Sequence, residues 1–411
     1  MPVYRLQPLL VILAGALLAT AFPTPASADE SADRFLDAVS KGRFSLNLRY
    51  RYEDVDQEGF DERGQASTLR TVAAYRTLWW KGLQVFLEVE DVHDLGLSGE
   101  HNNAGAGSLG NAVADRPVIA DPPLTEFNQA YLGWKPVSSL PIRLGLQEVV
   151  IDNARFVGNV GWRQNHQTFE AARVDFTGVE NLVLSYAFLD RQHTITGDSQ
   201  PMSTSHLGAG YSFGEIGVLK GYALLLDFEQ DSRKTLNSTT FGAFFDGTAK
   251  LSETLGLGYR LELAYQTDTN NPVRIDADYL RGDVSLKVSR FTFAAAYEVL
   301  GGSPEDGQFN TPLATLHGFN GWADKFLVTP THGLHDLFGS VGATLGRFKL
   351  TVVYHDYSAD TGGGDWGTEL DAEVAYTTPW KQMLALKYAG YDADEHATDT
   401  TKLWFYTTWG F

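Results

Sequence analysis

The stretch Leu255-Gly256-Leu257-Gly258-Tyr259-Arg260-Leu261-Glu262-Leu263-Ala264-Tyr265-Gln266 sends its leucines and tyrosines to one side. Glycine, arginine, glutamate, alanine and glutamine go to the other. Such alternation is a β-strand with one apolar and one polar face. The pattern recurs along the chain. Phe44, Leu46, Leu48, Tyr50 and Tyr52 alternate with Ser45, Asn47, Arg49, Arg51 and Glu53. Leu83, Val85, Leu87 and Val89 alternate with Gln84, Phe86, Glu88 and Glu90, and Phe348, Leu350, Val352 and Tyr354 with Lys349, Thr351 and Val353. A soluble sandwich would turn the apolar face to a second sheet; a membrane barrel turns it to lipid. Length decides, because these runs reach about ten residues, enough to cross a bilayer at a tilt, where globular strands average about 5–6. Aromatics gather near run ends, at Trp79-Trp80, Trp134, Trp380 and Trp404 to Trp409. Interfacial girdles would produce that clustering. The fold class is all-β: a transmembrane antiparallel up-and-down β-barrel.

Connections alternate in kind. Brief links fall near Trp80-Lys81-Gly82, Pro136 to Pro141, Gly178-Val179-Glu180, Gly214 to Gly217, Ser252-Glu253, Ser289-Arg290, Gly346-Arg347 and Pro379-Trp380. Longer polar links fall near 55–64, 94–124, 151–166, 191–203, 230–237, 269–276, 302–335, 359–366 and 393–400. Short periplasmic turns and longer outer loops give about 18 strands with both chain ends in the periplasm. The last strand puts Leu403, Phe405, Thr407, Trp409 and Phe411 on one face, opposite Lys402, Trp404, Tyr406 and Thr408. A terminal aromatic there is the mark by which barrel-insertion machinery selects its clients.

The N-terminus reads as a secretory signal: Arg5, an apolar run from Leu9 to Phe22, then Ala26-Ser27-Ala28. We therefore read 1–28 as a removed signal peptide, 29–41 as a short periplasmic segment and 42–411 as one barrel domain in the bacterial outer membrane, bounded by lipid and lipopolysaccharide. The chain has 411 residues, no cysteine, 41 glycines and a formal charge of -19. Without cysteine it can hold no disulfide or thiolate metal site. The acidic balance argues against nucleic acid, which needs a basic face. A mean hydropathy of -0.19 suits apolar residues that alternate with polar ones.

A barrel of this width has a lumen, so its inward side chains carry the function. Strand parity and loop composition nominate Arg49, Arg51, Arg70, Arg76, Arg143, Arg155, Arg163, Arg173, Arg260, Glu88, Glu90, Asp175 and Glu262 as pore-lining or substrate-binding residues. Cationic rings favour anionic solutes, and facing carboxylates keep binding weak enough for release. The same charges, paired across the lumen, would hold the wall. Loop 151–166, with Asp152, Asn153, Arg155, Asn159, Trp162, Arg163, Gln164 and Asn165, either folds inward and narrows the pore or caps the rim. Asp54, Asp56, Glu58 and Gly59 echo the start of a calcium loop, but its twelfth position is Gln65 rather than glutamate. A solvated acidic turn is the better reading. No cofactor or metal is implied. The ten histidines lie mostly in outer loops and outside any catalytic motif, so the chain reads as a non-enzyme.

Thr68-Leu69-Arg70-Thr71, Phe86-Leu87-Glu88-Val89-Glu90-Asp91-Val92 and Glu126-Phe127-Asn128-Gln129-Ala130-Tyr131-Leu132 precede the run Asp152-Asn153-Ala154-Arg155-Phe156-Val157-Gly158-Asn159-Val160-Gly161-Trp162-Arg163-Gln164-Asn165. With Gln167-Thr168-Phe169-Glu170, this closely resembles the alginate-export family of outer-membrane barrels over roughly 45–177. The family often carries Gly-Arg-Gln where this chain has Gly145-Leu146-Gln147. The resemblance implies an 18-strand channel with an arginine-rich constriction for an acidic polysaccharide, helped in export by periplasmic partner proteins. Three expectations follow: a passive channel for anionic or sugar-like solutes, a nutrient-uptake porin for small substrates, or an adhesive barrel plugged by its loops, with 94–124 and 302–335 doing the binding.

Overall fold

The computed structural model describes residues 31–411, so the signal-peptide reading lies outside the described residues. The first element among the described residues is a six-residue helix, α1 (Phe35–Ser40), and the rest is almost entirely strands. The first are β1 (Arg43–Gln57), β2 (Gly64–Arg76), β3 (Leu83–Asp94), β4 (Leu124–Trp134), β5 (Ile142–Gln147), β6 (Thr168–Val179) and β7 (Leu182–His193). Then come β8 (Ser199–Ser212), β9 (Val218–Leu226), β10 (Ser238–Lys250), β11 (Leu255–Asp268), β12 (Asp276–Val288) and β13 (Phe291–Leu300). The minor strands β14 (Gly302–Ser303) and β15 (Gly307–Gln308) make a hairpin of their own inside a loop. The wall resumes with β16 (Leu334–Leu345), β17 (Phe348–Ser358), β18 (Asp365–Thr377), β19 (Met383–Ala393) and β20 (Thr400–Gly410).

Each barrel strand pairs antiparallel with its neighbours in sequence, β13 pairs with β16, and β1 pairs with β20 from Asn47↔Gly410 to Gln57↔Thr400. That last ladder closes the 18-stranded sheet and leaves it no edge, as backbone in lipid requires. The barrel is an outer-membrane barrel. Its outward face is apolar: Leu261 and Leu263 are each 55% exposed, while their neighbours Arg260 and Glu262 are buried inside. Trp80, Trp134, Trp380 and Phe44 stand near the short-turn end, where a girdle belongs.

Trp404 is not a girdle residue; it points inward from β20, 1% exposed, in a cluster with Trp162 and Trp322. Parity already turned it away from Leu403 and Phe405, and that criterion outranks proximity to a strand end. The link 191–203 also shrinks to a hairpin turn at 194–198, because β7 and β8 stay paired as far as His193↔Ser199. Large connections remain at 95–123 (L2), 148–167 (L3) and 301–333 (L7), named by their order among the outer loops.

Candidate functional site

The lumen is where the described residues concentrate buried charge. L3 folds into it, which answers the choice between narrowing the pore and capping the rim. Its backbone is held by inward arginines of the wall. Arg49 donates to Gly161 O at 2.9 Å, to Gln164 Oε1 at 2.7 Å and to Arg163 O. Arg51 donates to Trp162 O at 2.6 Å and pairs with Asp121, carried in from L2. Arg70 pairs with Glu90, whose other oxygen accepts from the His166 N–H at 3.0 Å. On the far wall, the L3 residue Arg155 reaches Glu298 at 2.8 Å, and wall Arg260 bridges Asp152 at 2.6 Å and Glu262 at 2.7 Å.

L7 enters beside it. Val157 and Leu313 form a parallel bridge; Gly158 N donates to Leu313 O at 2.9 Å and Thr315 N to Ala154 O at 3.0 Å. A Cβ at Gly158 would collide with the Thr315 hydroxyl, so glycine is what lets the two loops touch. Lower on L7, the Trp322 and Ala323 amides donate to Asp371 at 3.2 Å and Glu369 at 2.7 Å. The loops are locked at Asp324, which meets Arg163 at 3.0 Å, Lys402 at 2.9 Å and His317 at 2.8 Å. His317 stacks on Trp162 with centroids 4.5 Å apart and accepts from the Lys387 ammonium at 2.7 Å. That ammonium also lies 4.0 Å from the Trp162 ring centre and 3.9 Å from that of Trp322, so cation–π attraction adds to the lock.

This arrangement relocates much of the nominated set. Arg49, Arg51, Arg70, Arg155, Arg163, Arg260 and Glu90 are buried in contacts that join the loops to the wall, and Glu88 and Glu262 are buried against wall partners, so none of them faces an open bore. Glu88 accepts from Asn128 at 2.8 Å and Gln129 at 3.0 Å. Arg76, Arg143, Arg173 and Asp175 instead line the periplasmic half of the lumen, below the loops, with Arg173 reaching up to Val150 O of L3 at 3.4 Å. Lys220, Lys287 and Lys349 point into the same half by parity. Asp175 and Asp283 there are taken up by Arg173 at 3.2 Å and Arg281 at 2.9 Å, and Asp246 faces inward from β10 one inward position below Phe244, the register partner of Lys220. Between L3 and the wall lies a narrow cleft lined by Phe156, His206, Lys220, Tyr222, Phe244 and Glu262. Sequence reading missed Asp324, His317 and Trp322, whose loop gave no period to place them. At the rim, Arg63 spans Asp54 at 3.1 Å and Asp56 at 2.7 Å, so an arginine neutralises the acidic turn that echoed a calcium loop.

Two loop groups make the lock sensitive to acid. Burial would raise the Glu148 carboxyl, but His166 at 2.7 Å, with Asn159 and Arg70, brings it down to about 2. Burial and the neighbouring Lys387 hold the His317 imidazole well below its usual value despite Asp324. A carboxyl lowered by docking stabilises the docked loop above its free value of about 4.3 and loses that contribution as pH falls toward 2. A histidine lowered by docking binds its proton first in the undocked loop, so docking weakens as pH falls below about 6.5. Single-channel conductance is therefore expected to stay level from neutral to mildly alkaline pH and to rise below about pH 6.5, with more flicker below about 4.3.

The fold and infolded loops define an outer-membrane barrel of 18 strands with a constricted lumen. Solved structures of the same build are OpdK of Pseudomonas aeruginosa, determined with vanillate (TM-score 0.73, 16% identity, 91% of this chain and 99% of that one), and OccK9 (OpdG) of the same organism (0.73, 17%, 91% and 99%). OccAB2 of Acinetobacter baumannii is similar as well (0.71, 16%, 91% and 99%). At these identities the likeness is one of fold. No family profile and no curated protein matches the sequence. The alginate-export resemblance is thereby overturned: the structural relatives are Opd and Occ proteins. Among the residues that carried it, Arg70, Glu88, Glu90 and Asn128 are buried inward positions, and the loop is folded into the bore.

Proposed function

We propose that the chain is a passive outer-membrane porin that admits small anionic solutes, including aromatic carboxylates, through a constriction built by L3 and L7. The carrying observation is the sign of the uncovered lumen. Although the chain is strongly acidic, its periplasmic half presents Arg76, Arg143, Lys220, Lys287 and Lys349 against the inward carboxylate Asp246, while Asp175 and Asp283 are each paired with an arginine. Cations lining a low-dielectric bore attract anions and exclude cations. One relative of the same fold was solved with vanillate, a molecule with an aromatic ring and a carboxylate. These features favour uptake of small substrates.

Reversal potentials in a potassium chloride gradient test the reading. The intact chain should prefer chloride, and Lys220→Glu combined with Arg173→Glu should reduce or invert that preference while conductance persists. Cation preference in the intact chain would overturn the proposal.

A further inference from the structure

We propose that α1 is an interfacial membrane anchor, lying in the periplasmic leaflet against the outside of the barrel. On a helix of 3.6 residues per turn, Phe35, Leu36 and Val39 fall within an arc of about 100°. They are 57%, 68% and 40% exposed. Arg34, Asp37 and Lys41 occupy the opposing arc, and Ala38, which is buried, faces the barrel. An apolar arc set against a charged one is the pattern of a helix that lies in a membrane interface.

The helix is fixed in place rather than free. Leu78 N donates to Ala38 O at 3.0 Å and Ala32 N to Trp79 O at 2.8 Å, while the Tyr75 hydroxyl donates to Val39 O. Tyr75 lies on the outward face of β2, opposite in parity to buried Ala74 and inward Arg76, so the helix sits outside the wall. Its apolar arc continues the lipid belt. The Phe35 ring meets Trp80 edge-on at 5.3 Å, and Phe44, 66% exposed, follows on β1. The Lys81 ammonium lies 5.2 Å from the Trp80 ring centre, as a cation placed at headgroup level would. Continuity with that belt makes the occupant phospholipid rather than a periplasmic protein.

The absence of cysteine allows a clean test. Leu36→Cys and Lys41→Cys, each carrying a polarity-sensitive fluorophore, are reconstituted as folded full-length barrels in phospholipid vesicles. The probe at position 36 should emit as in an apolar medium and be quenched by lipid-borne nitroxides; the probe at 41 should emit nearer to its value in water, with weaker quenching. Water-like emission at both sites, or equal quenching at both, would overturn the proposal. Heat-resistant electrophoretic migration of each variant verifies folding independently of the fluorescence.

Discussion

Replacing Asn153–Arg163 with a short glycine-rich link is expected to raise single-channel conductance several-fold. This segment carries Arg155, Trp162 and Arg163 into the bore and supplies the carbonyls that Arg49 and Arg51 grip. Removing it widens the lumen at its narrowest level and frees wall arginines to line the opening. The lipid-facing ladders do not involve L3, so the variant should still insert and migrate as a folded barrel. An unchanged conductance in a folded variant would show that L3 is not the constriction.

Asp324→Ala should have the second largest effect, on L7. The carboxylate is met by Arg163, Lys402 and His317. Burial would raise its pKa, but Lys402, His317 and Arg163 hold it well below the usual range, so it is ionised at every working pH. Breaking a buried ion pair from one side costs about 3–5 kcal/mol, because the partner charges stay behind without compensation. That is a large share of what holds one loop in place. The expected result is flickering current and faster proteolysis within 301–333 while the barrel stays intact. Asp324→Asn should lie between the variant and the parent, since the amide oxygen still accepts hydrogen bonds.

The wall was legible in the sequence and the plug was not, for a physical reason. Period two in Leu255 to Gln266 reports the environment on each side of a strand, and lipid outside with polar contents inside makes that contrast strong at every strand. Parity placed Arg49, Arg51, Arg70, Arg260 and Glu262 inward, where the structure has them. Parity does not say what lies across from an inward side chain. Arg49 looks like a pore-lining cation until L3 brings Gly161 and Gln164 to it over a separation of more than a hundred residues. Loops carry no period, so His317 and Asp324 gave no signal. One cue was available: tryptophans in polar outer loops, Trp162 and Trp322, have little reason to be there unless they fold inward.

The family resemblance failed on related grounds. Arg70, Glu88 and Glu90 on the wall and Asp152 and Arg155 in the loop serve here to build a constriction, so they speak to architecture before they speak to cargo. The chemistry of the uncovered lumen is a better guide to the solute, because it depends on which charges the loops leave unneutralised.

On the proposed function, this barrel conducts through a lumen narrowed by its own loops. Single-channel recording of the intact chain in planar bilayers tests it most directly. Discrete, anion-selective steps well below those of the chain lacking Asn153–Arg163 are the predicted result. Absence of current, or steps as large as those of the loop-replaced chain, would contradict it.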